Sequence, residues 1–251
     1  MTLIAGLRCS SGGVLICADR EEAIGGAKRS VDKIARFTLE RSRYFIAGAG
    51  RSSILTNVIP HIHHALKVAE SKGVDLLEKH REIIGSALYQ VHEELIWRRD
   101  DTPERGVSLA VAVSYGIRNG AIQTFLYGTD EDILCLNQPY VFDGCGKDLA
   151  YYFSDRLFGP EPSLNRQELI ILAAFIFREV RESISNVGLG TDMIFVSGVE
   201  PAFQNIPYGA LKQLDDALES AGIRAAIKAL WADGIKNVPD WLLKESPNSD
   251  L

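Results

Sequence analysis

The residue with the most evident chemical potential is the second one, Thr2. Removal of Met1 would give Thr2 a free α-amino group, so that one residue would carry both a hydroxyl nucleophile and a potential base. Thr2 opens an apolar segment, and after a short polar turn a second apolar segment, Val14–Ala18, leads to Asp19. The pattern predicts a strand, a tight turn and a second strand that ends on a carboxylate.

Length and composition are those of a folded globular protein. The chain has 251 residues, of which 46% are hydrophobic and 24% are charged, and no long polar or Gly/Ser-rich linker divides it. We therefore expect one domain over residues 1–251, with a C-terminal helix and tail over 207–251. The formal net charge of −6 disfavours non-specific binding to nucleic acid or to an anionic membrane surface.

Cysteine usage and hydropathy point to a reducing compartment. The four cysteines show neither a CxxC pair nor a zinc-ligand spacing, which favours free thiols. The N-terminus lacks a basic region followed by an apolar one, as a signal peptide would have. The longest apolar run, Leu169–Phe177, is far shorter than the roughly 20 residues that span a bilayer. We therefore expect a cytoplasmic protein that contacts no membrane.

The first half of the chain reads as strands followed by two helices. Polar residues 20–30, which include Gly25-Gly26, predict a loop or an edge structure. Lys33 falls within one of the predicted strands. Period and turn signals place strands at Leu3–Cys9, Val14–Ala18, Val31–Leu39 and Tyr44–Gly48, and helices at residues 51–73 and Val74–Arg99.

The second half repeats the alternation of strands and helices. The predicted strands are Val107–Tyr115, Ala121–Tyr127, Ile133–Leu136, Tyr140–Phe142 and Met193–Val196. The predicted helices are Lys147–Leu157, a long one that follows Ser163 and Leu164 and ends near Ser185, and Tyr208–Ala232. Hairpin-rich strands with paired helices favour two packed antiparallel sheets with helices on both outer faces.

Other residues that could do chemistry have simpler interpretations. His61 and His64 share a helix face, but no cysteine or nearby carboxylate completes a ligand set, so a solvated surface is favoured over a metal site. The Gly48–Ser53 turn lacks the lysine of a phosphate-binding loop. A Cys/His nucleophile at Cys145 would need a histidine, and every histidine lies between His61 and His92.

Short segments in a shared order resemble the proteasome-type family of N-terminal-nucleophile hydrolases, which includes proteasome β subunits and bacterial proteasome-like peptidases. Thr2–Leu7 is similar to the opening strand of that family, and Val14–Arg20 to its "VVLAADRR" strand. The remaining matches are Asp32-Lys33-Ile34 with the lysine-containing strand, Phe45–Gly48 with "IAG", Asp143–Gly146 with "GSGS", and Gly188–Ile194 with "SGDGIDVAVI". The resemblance covers roughly Thr2 to Gly198 and implies an α+β fold, the four-layer αββα sandwich.

Carried over residue by residue, the resemblance makes Thr2 the nucleophile and Asp19 and Lys33 its partners. A threonine hydroxyl is a poor nucleophile at neutral pH and needs a base, which a free α-amino group with a pKa of about 8 can supply. A lysine ammonium beside that amine would lower its pKa and favour the neutral base. Asp19 would hold Lys33 charged and oriented.

The resemblance also assigns the groups that would bind substrate. Gly48 would present its backbone N–H to the tetrahedral oxyanion, and Ile46 would help to form an apolar floor for the residue before the scissile bond. Cys145 stands in place of the serine of the family's turn and could still touch the amine as a weaker donor. The family's aspartate and serine before the late strand lack a plain match, and Ser183 or Ser185 would substitute only after a register shift.

The function that follows is a threonine-type endopeptidase that uses Thr2 after Met1 removal and needs neither metal nor cofactor. The resemblance implies a peptide or unfolded-protein substrate, a homo-oligomeric ring and an ATPase unfoldase as a partner. Two alternatives stay open: a non-catalytic, proteasome-like structural subunit, and an amidohydrolase that uses the same nucleophile on a non-protein amide.

Overall fold

The computed structural model describes residues 2–24, 27–30, 32–95, 107–116, 122–130, 133–136, 139–157, 164–184, 190–199 and 203–221. The strands in these ranges are β1 (Leu3–Arg8), β2 (Val14–Asp19), β3 (Glu21–Ile24), β4 (Ala27–Ser30), β5 (Ile34–Thr38), β6 (Ser42–Gly50), β7 (Val107–Gly116), β8 (Ile122–Asp130), β9 (Ile133–Leu136), β10 (Tyr140–Gly144), β11 (Thr191–Val196) and β12 (Phe203–Ile206). The helices are α1 (Ser52–Ser71), α2 (Leu76–Leu95), α3 (Lys147–Leu157), α4 (Arg166–Ser183) and α5 (Tyr208–Ala221).

Two five-stranded antiparallel sheets form the centre of the molecule. The first sheet has the order β10-β1-β2-β11-β12, and the second has the order β5-β6-β7-β8-β9. Among the described strands, β3 and β4 pair with each other alone, as a separate hairpin between the first sheet and the second. The chain therefore enters the second sheet through residues 32–33, directly after that hairpin.

Three apolar clusters fill the spaces between four layers. One lies between the two sheets and includes Ile16. Another joins the first sheet to α3, α4 and α5 through residues such as Phe177 and Leu214. The third joins the second sheet to α1 and α2 through Ile62 and Leu88. The layers therefore run helices, sheet, sheet, helices, which confirms the predicted αββα sandwich.

The helix α4 is apolar around its circumference because it is covered on several sides. Its run Leu169–Phe177 is buried throughout and packs against the first sheet, α3 and α5. Asn165 caps its start in a capping box, with the Asn165 side chain accepting from the Glu168 N–H and the Glu168 side chain accepting from the Asn165 N–H.

Among the described residues, no helix is long and apolar enough to cross a membrane.

The structure differs from the sequence prediction around the edges of the sheets. Lys33 lies just before β5 and not within a strand, since β5 begins at Ile34. Residues 21–30, expected as a loop or an edge structure, contain the β3–β4 hairpin. The short strand β12 was not predicted, because its sequence Phe-Gln-Asn-Ile carries little apolar signal. The last helix is described as far as Ala221, and the tail predicted beyond it lies outside the described residues.

A buried histidine ties α2 to the second sheet. His80 is 2% exposed, and its Nδ1 lies 2.6 Å from the carbonyl oxygen of Leu76 while its Nε2 contacts the hydroxyl of Tyr127. Because a carbonyl only accepts, Nδ1 must carry the proton, and Nε2 of the neutral ring then accepts from Tyr127. Burial lowers the pKa of His80, since the charged imidazolium would be poorly solvated there.

This histidine should make stability fall in mild acid. The unfolded chain takes up a proton at His80 near a pKa of about 6.5, whereas the folded ring resists it, so the free energy of unfolding should fall by about 1 kcal/mol as pH drops from 7 to 5. Urea unfolding at several pH values measures the slope. His80→Gln should flatten this part of the profile, and His64→Gln, at an exposed position, should leave it unchanged. Equal slopes in all three proteins would contradict the assignment.

Candidate active site

The N-terminal hairpin brings Thr2 and Asp19 together. β1 and β2 pair with Ile4 opposite Ala18, so that the start of β1 lies beside the end of β2. The backbone N–H of Leu3 donates to Asp19 Oδ2 at 3.4 Å. Thr2 is 9% exposed and Asp19 is fully buried. A hydroxyl and a carboxylate thus share the same end of the first sheet.

Lys33 reaches this pair from the second sheet. Its Nζ donates to Thr2 Oγ1 at 2.7 Å and also contacts Asp19 Oδ1. The start of β5 is set by Asp32, whose Oδ1 accepts from the N–H of Ile34 at 3.0 Å. The structure therefore brings three of the predicted site residues into direct contact, although Thr2 and Asp19 belong to the hairpin of the first sheet and Lys33 leads into the second.

The ion pair of Lys33 with Asp19 is buried, so both charges need partners within the protein. The side chain of Lys33 is 10% exposed and that of Asp19 is 0% exposed. Charges removed from water need partners, and here the carboxylate receives the ammonium of Lys33 and the N–H of Leu3. The ammonium in turn contacts the Thr2 hydroxyl oxygen, where it stabilises any negative charge that develops.

The turn after β10 holds Thr2 through its backbone. The N–H of Cys145 donates to the carbonyl oxygen of Thr2 at 2.8 Å. Gly144 has φ of +90°, and a Cβ there would lie 1.8 Å from the same carbonyl oxygen. The partly buried Cys145 side chain packs against the core beside α3 and α4. Among the described contacts, it is therefore the backbone N–H of Cys145, and not its thiol, that touches Thr2.

Replacing Gly144 with alanine should cost more stability than the same change at Gly12. Both glycines have φ near +90°, so both variants carry similar backbone strain. A Cβ at Gly12 meets nothing within 4 Å, whereas one at Gly144 meets Thr2. Gly144→Ala should therefore lower the free energy of unfolding by about 2 kcal/mol more than Gly12→Ala in urea titrations. Equal losses of stability in the two variants would show that a side chain at position 144 does not clash with the carbonyl oxygen of Thr2.

Gly48 lies in β6, close to where the second sheet meets the N-terminal hairpin. The pairing of β5 with β6 ends at Ile34 opposite Ala47, so the next position in that register would set Lys33 opposite Gly48. A Cβ on Gly48 would lie 2.5 Å from Leu55 Cδ2 of α1, so a larger residue there would require the Leu55 side chain to move. The backbone of Gly48 thus runs next to the residue that holds Thr2.

Ile46, two residues earlier in β6, is fully buried in the cluster between the second sheet and α1 and α2. Side chains two apart on a strand share a face, so Ile46 is on the same side as the vacant Cβ position of Gly48. Its role as an apolar floor for substrate stays a prediction.

Two charged residues at the site were not identified from the sequence. Arg20, which directly follows Asp19, pairs with Asp192 of β11, with Nη1 and Oδ1 3.5 Å apart. Burial raises the pKa of Asp192, while the charge of Arg20 opposes that rise. An aspartate within an otherwise apolar late strand was the available signal.

The sequence also offered Ser183 or Ser185 as a substitute for the family's aspartate and serine. Ser183 is exposed at the end of α4, and residues 185–189 lie outside the described residues.

The predicted absence of a metal site concerns the histidine, cysteine and carboxylate side chains. Within the described part of the chain, no group of three or more His, Cys, Asp or Glu side chains is arranged to hold a metal ion. Nε2 of His61 lies 3.0 Å from Oε1 of Gln90, which ties α1 to α2. The groups that meet at this site are the hydroxyl of Thr2, the ammonium of Lys33 and the buried carboxylate of Asp19.

Comparison with known proteins identifies the fold. No family model matches the sequence, and none of the curated proteins compared with it matches. Among solved structures, the Anbu ancestral β-subunit from Yersinia bercovieri has a TM-score of 0.68 at 14% identity, over 95% of this chain and 98% of that chain. Anbu from Hyphomicrobium sp. strain MC1 has a TM-score of 0.67 at 15% identity, over 90% and 97% of the two chains.

A helical assembly gives a further match. The Anbu complex from Pseudomonas aeruginosa has a TM-score of 0.66 at 17% identity, over 98% of each chain. At these identities the likeness concerns the fold alone, and it agrees with the layer order and strand topology. The chain has the four-layer αββα fold that the Anbu β-subunits also have.

Proposed function

We propose that this chain is a threonine-type hydrolase, a proteasome-like endopeptidase that acts after Met1 has been removed. The observation that carries the proposal is the contact of Lys33 Nζ with Thr2 Oγ1 at 2.7 Å, backed by the buried carboxylate of Asp19. The buried pair of Lys33 with Asp19 contacts the hydroxyl of Thr2. A subunit with a purely structural role would not need this contact. It supplies the means to activate that hydroxyl.

In the first step Thr2 Oγ1 attacks the carbonyl carbon of the scissile amide. Its proton passes to the neutral α-amino group of Thr2, which needs a pKa of about 8 or below to serve at neutral pH. The ammonium of Lys33 donates to the hydroxyl oxygen and so stabilises the alkoxide character that develops during attack. Asp19 does not touch the reacting atoms and acts as a positioning residue for Lys33.

The tetrahedral intermediate carries its negative charge on the former carbonyl oxygen. The backbone N–H of Gly48 is the proposed donor to this oxyanion, and one such donor contributes about 10²–10³ in rate. The C–N bond then breaks, the α-amino group returns its proton to the leaving amine, and an ester remains on Thr2. Water activated by the same amine attacks the ester, releasing a carboxylic acid and restoring the hydroxyl.

The proposed substrates are peptides or unfolded proteins, with an apolar side chain favoured next to Ile46. We also infer a homo-oligomer, because a protein of the same fold that covers 98% of this chain forms a helical assembly. Enclosure in an oligomer would restrict entry to unfolded chains. An ATPase unfoldase in the cytoplasm is then the proposed partner.

Hydrolysis assays with matched substrates test the substrate class. The oligomer, freed of Met1, should hydrolyse fluorogenic peptides with an apolar residue before the scissile bond at a rate that depends on Thr2. Small non-peptide amides with the same leaving group serve as the comparison. Turnover of these amides alone would favour an amidohydrolase. Turnover of neither class by a correctly processed oligomer would favour a structural subunit.

A further inference from the structure

The backbone polar groups of Gly48 point toward the side of β6 on which Lys33 lies. Gly48 is opposite Leu109 in the pairing of β6 with β7. The N–H of Leu109 donates to Thr129 Oγ1 of β8 at 2.8 Å, so it points away from β6. In an antiparallel pair of this kind the N–H and C=O groups of both residues point outward, and those of Gly48 therefore point away from β7. On that side of β6, the strand β5 begins at Ile34, directly after Lys33.

Leu55 covers Gly48 from the side of the helices. β6 ends at Gly50 and α1 begins at Ser52, so the first turns of α1 follow directly on the end of β6. A Cβ on Gly48 would lie 2.5 Å from Leu55 Cδ2, 3.3 Å from its Cδ1 and 3.4 Å from its Cγ. The end of the Leu55 side chain therefore fills the space that a side chain at position 48 would take.

Ile46 and Leu55 border the same apolar space. Ile46 leaves β6 on the face that carries the Cβ position of Gly48, because the two residues are two apart on the strand. Ile46 is fully buried in the cluster between the second sheet and α1 and α2, and the partly buried Leu55 packs against that cluster. A substrate carbonyl oxygen that accepts from the Gly48 N–H would place the Cα next to it within roughly 5 Å of the Gly48 nitrogen. Leu55 is then within reach of the side chain on that Cα.

We propose that Leu55 is a specificity-determining residue: it closes the pocket beside Ile46, so the preferred substrates are peptides with a small apolar residue, alanine or valine, before the scissile bond. This inference rests on the proposed function, since it takes Thr2 as the nucleophile and Gly48 as the oxyanion donor. It narrows the apolar preference expected from Ile46 to small side chains. The physical reason is that a close-packed leucine leaves no room for further methylene groups.

Peptide hydrolysis by variants of different size measures this preference. Two fluorogenic peptides that differ only in alanine or phenylalanine before the scissile bond provide the comparison. The wild type should give a kcat/KM about tenfold higher for the alanine peptide. Leu55→Ala should open the pocket and reverse the preference, so that the phenylalanine-to-alanine ratio of kcat/KM rises about 30-fold. Leu55→Ile keeps the side-chain volume and should keep the preference of the wild type.

A second truncation in α1 controls for general loosening of the helix. Ile59 lies one turn after Leu55 and packs against the same cluster, but it does not approach the Cβ position of Gly48 among the contacts that the structure gives. Ile59→Ala should therefore leave the ratio unchanged. A preference of the active wild type for phenylalanine would overturn the proposal, as would an unchanged ratio in Leu55→Ala or an equal rise in Ile59→Ala. Each of these results would leave the proposed function intact.

Binding to the Thr2→Ala protein separates failure of the pocket from failure of the proposed function, because it needs no turnover. Isothermal titration with the same two peptides gives their Kd values. Adding Leu55→Ala to Thr2→Ala should shift the ratio of the two Kd values toward the phenylalanine peptide by about tenfold. That shift, found together with an inactive wild type, would support the pocket and count against the proposed function alone. No binding of either peptide, or equal ratios with and without Leu55→Ala, would overturn the proposal.

Discussion

Thr2→Ala should abolish turnover, lowering kcat by about 10⁴-fold or more, as expected when a nucleophile is removed. The variant keeps the α-amino group, Lys33 and Asp19, so any loss reports the hydroxyl alone. Thr2→Ser restores a hydroxyl at the same position and should recover activity to within about tenfold of the wild type. Initial rates on a fluorogenic peptide measure the effect.

An exposed threonine provides the control for this prediction. Thr56 lies on the surface of α1, where its hydroxyl donates to the carbonyl of Ser53, and Thr56→Ala should leave the rate unchanged. Substantial hydrolysis by Thr2→Ala, in protein shown by mass to be processed and free of contaminating protease, would remove Thr2 from the mechanism.

Lys33→Ala should lose both activity and stability. It removes the donor to Thr2 Oγ1 and leaves the fully buried Asp19 carboxylate without its cation. Breaking a buried pair in this way costs about 3–5 kcal/mol, so urea unfolding should show a loss of that size. The exposed pair of Lys79 with Glu82 gives the matched control, and Lys79→Ala should lower stability far less than Lys33→Ala does, because solvent screens this pair.

A double variant separates the two losses. Lys33→Met with Asp19→Leu removes both charges while keeping apolar bulk, and it should recover much of the stability lost by Lys33→Ala without recovering activity. A Lys33→Ala protein as stable as Lys79→Ala would contradict the buried pair. A double variant with wild-type turnover would contradict the role of Lys33 in catalysis.

The order of the layers could be predicted because the hydrophobic pattern of each segment shows which of its faces are buried. The run Val14–Ala18 is apolar at every position, as a strand buried on both faces must be, and it forms the centre of the first sheet. The start of α3 at Lys147 and its end at Leu157 agree with the prediction. The strand β12 escaped detection because edge strands need few apolar residues.

The site was predictable only in part. Thr2 suggested nucleophilic chemistry by its position, whereas Asp19 and Lys33 were assigned through the family resemblance. The Arg20–Asp192 pair depends on the pairing of β2 with β11, which joins residues more than 170 positions apart in the chain. No local pattern specifies such a pairing. The resemblance suggested that the thiol of Cys145 could touch the amine of Thr2, whereas the described contact runs from the backbone N–H of Cys145 to the carbonyl oxygen of Thr2.

The most direct test of the central claim is the intact mass of the purified protein, before and after treatment with a threonine-directed β-lactone. The account predicts the mass of a chain without Met1, one added reagent per chain, and fragment masses that place the adduct on Thr2. The Thr2→Ala protein should take up no reagent. Retained Met1, or an adduct on Cys145 in place of Thr2, would contradict the account.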